Sequence, residues 1–132
     1  MNSVLDASAL LAHLKGEKGA EVVAEALSQG AAMSVVNLAE VLSKLAEWGQ
    51  PPEAALERMQ QAGLLHTLLK LEPLSEKDTL QVATWRPLTK ALGLSLGDRC
   101  CLALAHRLAL PALTSDRDWQ QANVPVNVKL IR

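Results

Sequence analysis

Short β-like runs alternate with helical stripes along this 132-residue chain, and that alternation predicts an α/β fold with a mostly parallel sheet covered by helices on both faces. Two further observations agree. The length suits one domain spanning residues 1–132, and a hydrophobic content of 49% is enough to bury a core without disulfide or metal staples. No stretch is low in complexity, and no internal repeat or linker interrupts the pattern.

Ser3–Leu5 reads as a short strand ending at Asp6, and Ala7–Lys15 as the helix that follows. Across Glu17–Gln29, Ala20, Val23, Ala24 and Leu27 give the i, i+3, i+4, i+7 stripe of one buried helix face, and Gly30 suits the left-handed stop. Ala32–Val35 is the second expected strand. Leu38, Val41, Leu42 and Leu45 then repeat the helical stripe as far as Gly49, and Pro51-Pro52 opens a helix through about Gln61. The apolar run Leu64–Leu71 is ambiguous and compatible with a strand. Ser75–Leu92 reads as helix with Gly93 as its stop, and residues 97–109 as another with Cys101, Leu104, Ala105 and Leu108 facing inward. Pro111–Thr114 is a short strand, Asp116–Ala122 a helical turn and Val126–Ile131 a last strand of alternating residues.

The N-terminus has neither the basic flank nor the long apolar core of a secretory signal, and no apolar run approaches the ~20 residues of a membrane span. Cys100 and Cys101 are adjacent, so they make neither a CxxC pair nor a zinc site; a reducing cytoplasm is the expected compartment. The net charge of −1 does not announce a polyanionic partner. Its distribution is uneven: residues 1–84 hold six basic and eleven acidic side chains, and residues 85–132 seven basic and three acidic. Such asymmetry fits a polyanion-facing surface and equally fits scatter between two halves.

In open α/β sheets ligands bind beyond the carboxyl ends of the strands. Asp6 and Asp116 both fall at such ends. Glu40 lies about 6 Å along the helix that follows the second strand, and Asp98 opens the helix after Leu94-Ser95-Leu96-Gly97. Each acid alone has a plain explanation: Asp6 and Asp98 as helix caps, Glu40 paired with Lys44, Asp116 as a turn former. Four such explanations on one edge are less economical than a single site. Two carboxylates ~5 Å apart repel by roughly 3 kcal/mol at an effective dielectric near 20, so a cluster of them needs protons or a cation. Oxygen donors without His or Cys select hard ions, Mg²⁺ or Mn²⁺, and such ions promote in-line displacement at phosphoryl groups.

The segments VLDASALLA at 4–12, SVVNLAEVLSKL at 34–45, LSLGDRCCLALA at 94–105 and LTSDRDW at 113–119 resemble the PIN-domain family, and within it the VapC-type toxin ribonucleases of type II toxin–antitoxin systems. The resemblance spans nearly the whole chain, in the family's order and spacing. It implies a three-layer α/β/α sandwich and a Mg²⁺- or Mn²⁺-dependent endoribonuclease whose acidic pocket is Asp6, Glu40, Asp98 and Asp116. Asp6, Asp98 and Asp116 are then the metal ligands, Glu40 holds metal or orients water, and Ser8 and Thr114 support the pocket. Asp118 departs from relatives with a small residue there and is read as solvated. The resemblance further implies a homodimer and a cognate antitoxin whose tail crosses the pocket. The hairpin around residues 36–62, with Val41, Leu45, Trp48, Leu56 and Met59, is similar to the clamp that such antitoxins grip, although core packing explains most of that set. A housekeeping PIN nuclease, or a catalytically silent binding protein of the same fold, is the alternative.

His13, His66 and His106 fit no metal spacing. Arg86, Arg99 and Arg117 are candidates for RNA phosphates or for surface ion pairs. Trp48, Trp85 and Trp119 can stack on bases, but filling the core is the expected role of at least two. Asp6-Ala7-Ser8-Ala9-Leu10 departs from an adhesion-type D-x-S-x-S site at Leu10. A receiver-like domain would want a second acid where Ala7 stands.

Overall fold

The computed structural model describes residues 1–132 and contains five strands: β1 (Ser3–Leu5), β2 (Ala31–Ser34), β3 (Leu69–Glu72), β4 (Ala112–Thr114) and β5 (Val128–Leu130). Helices α1 (Ala7–Lys15) and α2 (Ala20–Ser28) join β1 to β2, and α3 (Val35–Glu47) and α4 (Pro52–Gln61) join β2 to β3. Helices α5 (Glu76–Thr84), α6 (Arg86–Thr89) and α7 (Leu96–Leu108) lead to β4, with short 3-10 turns at Lys90–Leu92 and Arg117–Gln121.

The strands lie in the order β3-β2-β1-β4-β5, and every pairing is parallel. Successive strand residues leave on opposite faces. Leu5, Met33 and Leu113 join the core under α1 to α4, whereas Val4, Ala32 and Ala112 join a second cluster with Val82, Leu104 and Trp119. Burial on both faces makes three layers and explains why the central strands read as continuous apolar runs. No helix is long and apolar enough to cross a membrane.

With β1 central, the chain builds outward to β2 and β3, then returns to β4 on the other side. That reversal puts the switch point, where such sheets bind ligands, at the carboxyl ends of β1 and β4. Helix α7 runs into the start of β4, so its N-terminus lies at the same carboxyl edge. Helix α3 begins there directly from β2 and packs against α7.

Three elements differ from the sequence reading. The expected helix Ser75–Leu92 is broken after Thr84 into α5, α6 and a 3-10 turn, because Pro87 has no N–H to donate and its ring crowds the preceding turn. Leu64–Leu71 is a turn for most of its length: His66 takes φ 67°, so the strand begins only at Leu69. Helix α2 starts at Ala20 rather than Glu17, since Gly19 adopts φ 97° against Ile131.

Candidate active site

Asp6 caps α1 in extended backbone, as its sequence position allows, and is 5% exposed. Its Oδ1 accepts hydrogen bonds from the Ala9 N–H at 2.8 Å and the Ser8 hydroxyl at 2.7 Å; its Oδ2 accepts from the Thr114 hydroxyl at 2.6 Å. Each hydroxyl is itself held from the loop after β4. The Ser115 N–H donates to Ser8 Oγ, and the Asp116 N–H to Thr114 Oγ1, both at 3.0 Å. Two hydroxyl bridges therefore tie the end of β1 to the end of β4. Burial pushes the Asp6 carboxyl up to about 6; the hydrogen bonds from Thr114, Ser8 and Ala9 oppose that rise, and the negative charge of Asp98 adds to it.

Asp98 is the third residue of α7 and closes a capping box with Ser95. Its Oδ2 accepts from the Ser95 N–H at 2.9 Å, and its own N–H donates to Ser95 Oγ at 3.1 Å. Its carboxyl is raised above the ordinary value, first by burial and further by the nearby charge of Asp116, against the pull of Ser95 and Arg99. Asp116 is exposed and caps the turn Arg117–Gln121, accepting from the Asp118 N–H at 3.0 Å; Asp118 is exposed beside it.

Glu40 comes to this edge from α3. Asn37 Nδ2 donates to its Oε1 at 2.7 Å, and a Cβ added at Gly97 would collide with its carboxyl group, so Glu40 lies directly over the first turn of α7. Lys44 does not neutralise it, pairing with Glu47 at 3.5 Å instead. The other two ion pairs, Lys70–Glu72 and Arg107–Asp78, are also elsewhere, so none of the four acids is in an ion pair.

No group of three or more His, Cys, Asp or Glu side chains is placed to hold a metal ion. Mg²⁺ does not require one: it dehydrates reluctantly and binds through one or two carboxylates while keeping waters. All-oxygen donors, negative charge held in no ion pair and a buried Asp6 that tends to take up a proton fit a hard divalent cation. Asp6 Oδ2 accepts one hydrogen bond, which leaves it acceptor capacity.

Arg99 is not available to a polyanion. It is 8% exposed, and its Nη1 donates inward to the Val82 carbonyl at 2.8 Å. Arg86 and Arg117 are exposed. Trp85 and Trp119 are buried, which removes them as stacking surfaces, whereas Trp48 is exposed with Lys15 Nζ 3.7 Å from its ring centroid. Val41, Leu45 and Met59 are core residues. Beside them, an apolar groove of about 430 Å³ runs between α1–α2 and α3–α4, floored by Leu27, Leu45 and Met59 and rimmed by His13, Lys15 and Arg58.

Asn37 and Gly97 were not singled out from sequence. The signal for Asn37 was a polar residue on the inward stripe it shares with Val41 and Leu45. For Gly97 only the tertiary approach of Glu40 reveals the need.

A parallel three-layer fold with acids gathered at its switch point defines a class, and the sequence names it. The model of the PIN domain family matches residues 3–125, and the chain belongs to that family. No curated protein matches it by sequence. Among solved structures, it is similar to a chain of VapBC-1 from nontypeable Haemophilus influenzae (20% identity, TM-score 0.74, covering 99% of this chain and 98% of that one). It is likewise similar to a chain of DNA-bound VapBC from Salmonella typhimurium (13%, TM-score 0.74, 100% and 99%). A third likeness is to Mycobacterium tuberculosis VapC20, a sarcin-ricin loop cleaving toxin (16%, TM-score 0.72, 96% and 99%). At such identities these likenesses establish the fold.

Proposed function

We propose that the protein is a Mg²⁺- or Mn²⁺-dependent endoribonuclease, the toxin of a toxin–antitoxin pair, which hydrolyses RNA phosphodiester bonds at Asp6, Glu40, Asp98 and Asp116. The observation that carries this reading is the set of carboxylates at the switch point, none of them in an ion pair, with burial and the charge of Asp98 raising Asp6 to about 6. Asp6 and Asp98 would be the leading ligands of the ion, with Asp116 binding it directly or through water. When bound, it supplies positive charge that stabilises the phosphoryl group during in-line displacement. Ser8 and Thr114 orient Asp6 through the hydrogen bonds they donate. Glu40 orients the attacking water and takes up its proton. The exposed Arg86 and Arg117 offer cations to the RNA backbone.

Purified protein incubated with structured RNAs and Mg²⁺ or Mn²⁺ should cleave them, and EDTA or Asp6→Asn should abolish cleavage. Products that persist unchanged in EDTA, or with Asp6→Asn, would remove the metal site from the account. In a susceptible host, expression without a partner should arrest growth, and the acid variants should not.

The toxin–antitoxin complexes among the solved relatives, such as VapBC-1, support a cognate antitoxin. The apolar groove with its basic rim suits an amphipathic segment bearing acidic residues. A homodimer is part of the same reading, and the exposed Leu80 and Leu96 are apolar side chains that such an assembly would cover.

A further inference from the structure

We propose that Asn37 is the positioning residue for the Glu40 carboxylate, clasping it to the first turn of α7; this rests on the nuclease reading of the same site. Asn37 is wholly buried although it is polar and one turn ahead of Glu40. Its Nδ2 carries two hydrogens and uses both, one to Glu40 Oε1 at 2.7 Å and one to the Gly97 carbonyl at 3.0 Å. A flipped amide would turn its oxygen toward those same two acceptors and repel both, so the orientation is dictated by the partners.

The clasp joins parts of the chain 60 residues apart. Gly97 completes it, because the Glu40 carboxyl occupies the space that a Cβ on Gly97 would fill. The next residue is Asp98, so whatever fixes Glu40 to Gly97 also sets its distance from Asp98. Helix stability does not account for Asn at this position. Its Oδ1 is buried without a protein partner, and an apolar residue on the same stripe would avoid that cost. The amide is retained for what its Nδ2 holds. A bond donated to a carboxylate is charge-assisted and directional, suited to keeping one rotamer of a flexible Glu.

The test is a double-mutant cycle read on RNA cleavage. Asn37→Ala and the near-isosteric Asn37→Asp should lower kcat about 10- to 100-fold while KM stays within about threefold, as displacement of a reacting group by ~1 Å would do. In a Glu40→Gln background the same changes should cost less than about twofold, because the residue they act through is already disabled. An equal loss in both backgrounds, or no loss in the wild-type background, overturns the proposal.

A second measurement needs no substitution at Asn37. In ¹⁵N-resolved NMR of the wild type, the two Nδ2 protons should exchange slowly with solvent, and Glu40→Gln should move one of them strongly and the other little. Fast exchange, or no response to Glu40→Gln, overturns the clasp. A wild type that cleaves no RNA but keeps this amide response overturns the nuclease reading and leaves the clasp standing.

Discussion

Asp6 has two roles with opposite consequences for stability. It caps α1 and ties β1 to β4 through Ser8 and Thr114, yet it carries a carboxylate into a site where burial disfavours charge. Its folded pKa of about 6 lies above the ordinary 3.8, so the native state binds this proton more tightly than the unfolded chain. The associated stability is fully present below about pH 4 and is lost as pH rises through about 6, a change of roughly 3 kcal/mol. In thermal unfolding without divalent ions, Asp6→Asn should therefore melt several degrees above the wild type near pH 8, and the gap should narrow as pH falls and close toward about pH 4. Parallel curves for the two proteins would contradict this. Gly97→Ala should separate fold from function in another way. Alanine favours a helix over glycine by about 1 kcal/mol, and the group it strikes is the mobile end of Glu40 rather than backbone. The melting temperature should hold or rise while RNA cleavage falls at least about tenfold; undiminished cleavage would show that the seat of Glu40 on α7 is dispensable.

Between elements, the contact most dependent on charge joins α5 to α7. Arg107 Nε donates to both Asp78 oxygens at 3.1 and 3.2 Å, and its Nη2 to the Pro73 carbonyl at 3.2 Å, while Asp78 also closes the capping box with Ser75. Burial opposes ionisation of Asp78, but the Ser75 N–H and Arg107 outweigh it and hold the carboxyl below its ordinary value. The stability from this lowered pKa is present above about pH 4 and is lost as pH falls below it. Asp78→Ala should cost about 1–3 kcal/mol in chemical denaturation at neutral pH and leave kcat unchanged for the folded fraction. A kcat loss larger than the loss of folded protein would place this contact in the catalytic machinery instead. Element boundaries were legible where periodicity and caps agreed, as in α1, α3 and α7. They were not at Ser75–Leu92, where the helical reading ran through Pro87, which cannot donate to the helix, nor at Leu64–Leu71, where apolar content concealed the left-handed backbone of His66.

For the molecule as a whole, the strand order decides where chemistry is available. Only the reversal at β1 places the loops after β1 and β4 side by side, and the groove on the α1–α4 face lies apart from the acids. That separation makes a prediction about the proposed partner. Leu14→Glu with Leu68→Glu, both partly exposed on the groove, should weaken antitoxin binding at least about tenfold and leave RNA cleavage by the free chain unaltered. Undiminished binding would move the antitoxin to another surface.

The sequence by itself determined the layered α/β class, the strand ends at which Asp6 and Asp116 follow, and the all-oxygen donor chemistry of an acid set without His or Cys. These depend on local periodicity, turn chemistry and side-chain type, all written within a few residues. Only the tertiary structure decided that the Thr114 hydroxyl, 108 residues away, is bonded to Asp6, that Asn37 reaches Gly97, and that Arg99 turns inward to Val82 rather than toward a polyanion. A helical stripe says which face is buried. It does not say which distant atom waits on the other side, because that depends on how strands far apart in the chain come to be neighbours in the sheet.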